Sequence, residues 1–180
     1  IVRGHTERLH AGIMFCDIRG FTALSQHVEP EVVVAMVNRV FAVVGAEAEA
    51  RGGEILKFIG DAMLLVFPVH QGPGPVAQAM VGTARAAAAG VASLDGGLRV
   101  GFGGHIGEVV QGNIGTPARL DFTVMGAAVN LASRLEGLCS PLGVTAVFSG
   151  AVARHAEGLA PAGHHALKGV DAPVLAHVPS

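Results

Sequence analysis

Gly53-Glu54-Ile55-Leu56-Lys57-Phe58-Ile59-Gly60-Asp61-Ala62-Met63-Leu64-Leu65-Val66-Phe67 reads as two apolar strands joined by a tight turn with a carboxylate at its tip. Gly60-Asp61 suits a two-residue hairpin, the glycine supplying the positive φ of a type II′ turn. Taken alone, an aspartate there is what a solubilising turn residue looks like. A second apolar run, Ile13-Met14-Phe15-Cys16-Asp17, also ends in a carboxylate and passes through Ile18-Arg19-Gly20-Phe21-Thr22 into a helix. Two strands that each end in Asp can lie side by side. That brings two hard oxygen ligands to one point, as a Mg²⁺ or Mn²⁺ site over phosphates requires.

A chain of 180 residues makes one domain with a sizeable core. Hydrophobic residues make up 51% and charged residues 14%, with a mean hydropathy of +0.52. That is more apolar surface than a monomer of this size needs, and a subunit interface is the expected use of the excess. Gly, Pro or a charge interrupts every apolar run before it reaches membrane-span length, and the N-terminus lacks a signal-peptide pattern. Only Cys16 and Cys139 are present, which argues against a disulfide framework and makes a reducing cytosol the natural setting. A net charge of −2 offers no basic footprint for nucleic acid. The sequence starts at Ile1 without an initiator Met, as a catalytic piece of a longer regulated protein would.

The elements alternate along the chain. Thr22 to Val28 is expected as a short helix, and Pro30-Glu31 as the first turn of a longer one. In the latter, Val33, Met36, Val37, Val40, Phe41 and Val44 repeat at helical spacing until Gly52-Gly53. After the hairpin come a loop from Gln71 to Pro75 and an Ala-rich helix from Val76 to Ala92. Leu98 to Val110 reads as a glycine-laden strand, Gly112 to Leu120 as a polar turn, Asp121 to Met125 as a short strand, and Ala127 to Leu138 as a helix. Val144 to Phe148, a short helix near Ala151, and strands around Ala166 and over Val174 to Val178 close a mixed α/β sheet. In the helix from Ala127, Asn130 and Arg134 share one face while Val129, Ala132, Leu135 and Leu138 form the buried stripe. Such a pair is often just a solvated face. Arg offers planar hydrogen bonds to phosphate and Asn can orient a ribose oxygen, so beside a metal-phosphate site the pair becomes a candidate transition-state clamp.

Five blocks together resemble the class III nucleotidyl cyclase catalytic domain. They are Phe15-Cys16-Asp17-Ile18-Arg19-Gly20-Phe21-Thr22, Lys57-Phe58-Ile59-Gly60-Asp61, Arg119-Leu120-Asp121-Phe122-Thr123-Val124-Met125-Gly126, Val129-Asn130-Leu131-Ala132-Ser133-Arg134-Leu135 and Leu167-Lys168-Gly169. Any one is weak; five in order and spacing are strong. The resemblance assigns residues 9–178 to the catalytic domain and 1–8 to an N-terminal extension. It implies an α+β fold with a ferredoxin-like βαββαβ core and added C-terminal strands, in a head-to-tail homodimer with two shared active sites.

Carried over by resemblance, Asp17 and Asp61 are the ligands of two divalent cations, Mg²⁺ or Mn²⁺, with the carbonyl of Ile18 assisting one. The main chain from Ile18 through Gly20, Phe21 and Thr22 cradles the β- and γ-phosphates of ATP. The partner subunit supplies Lys57 and Thr123 to the base, Asn130 to the ribose, Arg134 to the developing charge at the α-phosphate and Lys168 to the triphosphate. In this family, Lys with Asp or Thr at the two base-reading positions goes with ATP, and Glu with a small residue goes with GTP. Lys57 and Thr123 therefore imply an adenylate cyclase, and threonine in that pair resembles the subgroup that responds to bicarbonate.

Other features carry less. His155, His164 and His165 have no metal-site spacing on one helix face. Strand alternation turns Cys16 away from Asp17 and into packing. Gly101, Gly103, Gly104 and Gly107 fit a strand closely approached by other backbone better than a phosphate loop. Ala127, where the family often has Asp, weakens the cap of its helix. The rival readings are a guanylate cyclase, a silent cyclase-like dimerisation module, disfavoured because all seven expected side chains are present, and another palm-fold enzyme such as a diguanylate cyclase, whose acidic signature is missing since Ala62 follows Gly60-Asp61.

Overall fold

The computed structural model describes residues 5–180. In chain order the elements are β1 (Thr6–Arg19), α1 (Phe21–His27), α2 (Pro30–Glu49), β2 (Glu54–Ile59), β3 (Ala62–Pro68), α3 (Pro73–Ala92), β4 (Arg99–Thr116), β5 (Arg119–Met125), α4 (Ala127–Glu136), α5 (Cys139–Leu142), β6 (Ala146–Phe148), α6 (Gly150–Ala153), β7 (Leu159–His165) and β8 (Val174–Pro179). Eight strands form one sheet in the order β2-β3-β1-β4-β6-β8-β7, with β5 paired to β4 alone. The antiparallel quartet β2-β3-β1-β4, crossed by α1/α2 and α3, is the expected ferredoxin-like core.

The turn between β2 and β3 follows from its two residues. Gly60 has φ +62, and no residue other than glycine has a positive φ among the described residues, which are the signs a type II′ turn needs. Strand β1 then divides its side chains between two layers. Met14, Cys16 and Ile18 pack with Met36, Val40 and Val44 of α2 and Met80 and Ala84 of α3. Ala11 and Ile13 face the other way, against Leu64, Val66, Val124, Ala128 and Ala132. The period of two thus puts Cys16 in the core and Asp17 on the α4 side. Burial pushes the Cys16 thiol well above its ordinary pKa, so it is an inert packing residue.

The glycines of β4 let α4 lie directly on the sheet. A Cβ at Gly103 would overlap the main chain of Ala132 and Glu136. At Gly104 it would meet the Phe148 ring at 2.7 Å.

The structure corrects several boundaries. Residues 112–120 do not form a polar turn. Strand β4 runs on to Thr116 because Thr6 to Arg8 pair with Val110 to Gly112 on one edge and β5 pairs from Val110 to Thr116 on the other. The sheet begins at Thr6, ahead of the expected start at Leu9, while residues 1–4 of the expected extension lie outside the described residues. Helix α3 starts at Pro73, proline being tolerated where its missing N–H would have no partner. The helix from Ala127 breaks at Gly137 into α4 and α5. Strand β7 ends at His165, one residue before the expected centre at Ala166.

Candidate active site

Three chain segments meet in a cavity of about 570 Å³ lined by Asp17, Ile18, Gly20, Phe21, Thr22, Asp61 and Glu136, among others. The register places Asp17 opposite Ala62, and the Ile18 N–H donates to the Asp61 carbonyl at 3.3 Å, which fastens the end of β1 to the hairpin tip. Both aspartates therefore reach one point, as the sequence required. Gly20 holds φ +73 as the residue before α1, a left-handed turn that bends the chain so the first turn of that helix borders the cavity.

Charge is concentrated there at a cost. Burial, and then the neighbouring Asp61 carboxylate, raise the pKa of Asp17 to about 6. Burial and the charges of Asp17 and Asp61 likewise raise Glu136 to about 7. Asp17 Oδ1 is a buried oxygen without a hydrogen-bond partner. Unpaired carboxylate oxygens crowded at the mouth of a polar cavity fit a hard divalent cation, whose charge would remove both penalties. No cluster of three or more His, Cys, Asp and Glu in ligand-like proximity occurs among the described residues, so the two aspartates are the candidate side-chain donors.

The remaining residues lie elsewhere. Asn130 lines a separate cavity of about 300 Å³ with His105, Leu131, Gly169, Val170 and Asp171. Lys168, exposed, sits next to that wall in sequence, and Arg134 is exposed one turn beyond Asn130 on α4. Lys57 is half-buried on β2, whereas Thr123 on β5 is only 7% exposed, its hydroxyl donating to the Val124 carbonyl at 3.5 Å. The side chains of Asn130, Arg134, Lys57 and Lys168 make no hydrogen bond or ion pair among the described residues. The chain thus gathers Asp17, Ile18, Gly20, Phe21, Thr22 and Asp61, and does not bring Asn130, Arg134 or Lys168 to them.

Around these sites, exposed apolar side chains cluster on two hairpins: Phe58 and Ile59 on β2, Ile114 on β4, Phe122 and Met125 on β5. Gly126 leads into α4 without a side-chain cap, as expected from Ala127.

Two residues near the sites escaped the sequence reading. Glu136 closes α4, where the helix dipole disfavours an acid, and that misplacement was the available signal. His105 is largely buried, Nδ1 lying 2.7 Å from the Ser149 hydroxyl. Burial, then the charges of His10 and Arg154, lower its pKa to about 4, so it is neutral at pH 7. Nothing in its local sequence set it apart from eight other histidines.

The family described as "Adenylate and Guanylate cyclase catalytic domain" matches residues 5–154. Among curated proteins, an adenylate cyclase of Anabaena cylindrica is 35% identical over 151 residues, which cover 79% of this chain and 30% of that protein. The chain spans about a third of that relative's length. Among solved structures, the adenylyl cyclase CyaB from P. aeruginosa superposes with a TM-score of 0.86 at 28% identity, over 98% of this chain and 96% of that one. The guanylyl cyclase Cya2 gives a TM-score of 0.75, also at 28% identity, over 99% and 94%.

Proposed function

Because the chain belongs to the family of adenylate and guanylate cyclase catalytic domains, we propose that it converts ATP to 3′,5′-cyclic AMP and pyrophosphate at two equivalent sites shared by a head-to-tail homodimer. The observation that carries this reading is the division of one chain into two half-sites with no residue in common: an acidic cavity at Asp17 and Asp61, and a separate cavity at Asn130. The exposed apolar side chains of β2, β4 and β5 supply a surface for the second copy to cover.

In each site Asp17 and Asp61 of one subunit would hold two divalent ions, Mg²⁺ or Mn²⁺, with the Ile18 carbonyl. Bound there, the ions would supply the charge that activates the ribose 3′-hydroxyl and stabilises the leaving pyrophosphate. The main chain from Ile18 through Gly20, Phe21 and Thr22 directs N–H groups at the β- and γ-phosphates. From the other subunit, Asn130 orients the ribose, Lys168 binds the triphosphate, and Arg134 donates to the charge that builds on the α-phosphate. Lys57 donates to an adenine ring nitrogen and Thr123 accepts from the exocyclic amine.

An adenylyl and a guanylyl cyclase structure are equally identical to this chain, the adenylyl cyclase superposing with the higher TM-score. The preference for ATP rests on Lys57 and Thr123, because the pair lacks a carboxylate to accept from guanine N1–H and N2–H₂. Residues 9–178 form the catalytic domain, with the sheet reaching back to Thr6, in a cytoplasmic setting. No helix among the described residues is long and apolar enough to cross a membrane. Bicarbonate stimulates the enzyme through the Thr123-type site; an unchanged rate across a bicarbonate titration at fixed pH and ionic strength would remove that element.

Incubation with ATP or GTP and Mn²⁺, followed by identification of the product, tests the whole reading. Cyclic AMP from ATP at a rate well above cyclic GTP from GTP is expected. Absence of either product from a folded dimer leaves the dimerisation module as the surviving alternative.

A further inference from the structure

We infer that Glu136 is a positioning residue of the ion pocket, its carboxylate accepting a hydrogen bond from water bound to the ions that Asp17 and Asp61 hold. This rests on the ion pocket of the preceding reading and adds a residue to it from α4, which packs on the same face of the sheet as Asp17. Gly101 of β4 stands opposite Asp17 in the β1–β4 register. A Cβ on Gly101 would lie 3.0 Å from Glu136 Oε1 and 3.2 Å from Arg19 Nε. The missing side chain is therefore the space into which a carboxylate from α4 and a guanidinium from β1 reach. Facing Cβ positions in an antiparallel pair are about 5 Å apart, so Glu136 Oε1 comes within about 8 Å of the Asp17 Cβ.

Within that bound a layer of solvent can stand between the two carboxylates. Glu136 lines the same cavity as both aspartates, yet it is outside direct ligand grouping with them. Mg²⁺ dehydrates reluctantly and keeps several waters at about 2.1 Å. A carboxylate one water further out is the usual partner for such a shell. The Glu136 carboxylate has an acceptor to spare, because it makes no hydrogen bond or ion pair among the described residues. Arg19 is held in place by donation to the Val144 carbonyl beyond α5, which keeps a positive group beside Glu136 without neutralising it by a direct ion pair.

The position of Glu136 also joins the two half-sites of one chain. It lies six residues beyond Asn130 on α4, about 9 Å along the axis. One rigid helix thus touches the cavity of its own aspartates at its C-terminal end and presents Asn130 and Arg134 to the other site. The contact of α4 with Gly103 leaves it no freedom to shift toward the sheet.

The test is Mn²⁺ binding without nucleotide, read as loss of the free-ion EPR signal, together with the melting temperature of the ion-free protein. Glu136→Gln keeps shape and removes charge, and is expected to weaken Mn²⁺ binding by about tenfold or more with the ion-free melting temperature unchanged or raised. Glu136→Asp keeps the charge but draws it back from the cavity, and is expected to fall between Gln and wild type. Should the Gln variant fail to fold, the Asp variant decides. Wild-type affinity in whichever of these folds overturns the inference. Asp17→Asn is the control for the underlying reading: wild-type Mn²⁺ affinity in that variant removes the ion pocket itself, whereas its loss alongside an unaffected Glu136→Gln removes only the role of Glu136.

Discussion

The two half-sites of this chain differ in how much of their chemistry is finished. At Asp17 and Asp61 the strands, the hairpin and the first turn of α1 already converge, and the unfavourable charge there calls for a ligand. At Asn130, Arg134 and Lys168 the polar groups stand exposed, with nothing from their own chain to act on. One region stores electrostatic strain, and the other offers unused donors. On the proposed reading, a second copy of the chain completes both.

The largest effect should come from the finished half. Asp61→Ala or Asp17→Ala removes a ligand shared by both ions, and turnover is expected to fall by about a hundredfold or more with the dimer intact on size exclusion. Retention of more than a few per cent of activity would mean the aspartates are not the ion ligands. Arg134→Ala probes the unfinished half. It is expected to lower kcat by about 10²–10³-fold with little change in KM, because its partner charge exists only in the transition state. Equal changes in binding and turnover would make it a ground-state contact.

Smaller effects sharpen the contrast. Lys57→Glu with Thr123→Gly should lower kcat/KM for ATP by about 10–100-fold, the scale of lost hydrogen bonds involving a charged group. Gain of GTP use is not required, since pocket shape also selects. The smallest effect concerns pH. An acid whose folded pKa is raised above its unfolded value stabilises the fold most when protonated, and that contribution is lost as pH rises through the folded pKa. For Asp17, raised to about 6, the ion-free protein should gain more in melting temperature from pH 7 to pH 5 than its Asp17→Asn variant, a comparison that cancels the opposing contribution of His105, lowered to about 4. Added Mn²⁺ should reverse the trend, because ion binding needs the charged form. Scanning fluorimetry with and without Mn²⁺ checks both signs, and the same slope in both conditions would contradict them.

The sequence announced the finished half well because its signals are local. Gly60-Asp61 sets the turn by backbone preference, and the period of two in β1 places Asp17 opposite Cys16 in direction. The long-range contacts were less legible. Gly101 and Gly103 read as a strand closely approached by backbone, which the seating of α4 explains, but nothing in the local pattern said that Glu136 would reach over Gly101 toward Asp17. Likewise, Gly112 to Leu120 looked like a turn because its glycines and proline mark turns locally, while pairing with β1 as far as Gly112 and with β5 as far as Thr116 keeps β4 extended.

The central claim, that each site takes its ion ligands from one subunit and Asn130 with Arg134 from the other, is tested most directly by mixing two inactive variants. Asp17→Ala and Arg134→Ala homodimers each lack an essential group in both sites. In the mixed dimer one site carries both lesions and the other is intact. With random pairing about half of the dimers are mixed, so activity should recover to about a quarter of wild type once subunit exchange has been verified by mass. No recovery at any mixing ratio, with exchange demonstrated, would contradict the shared site and the dimer geometry on which it depends.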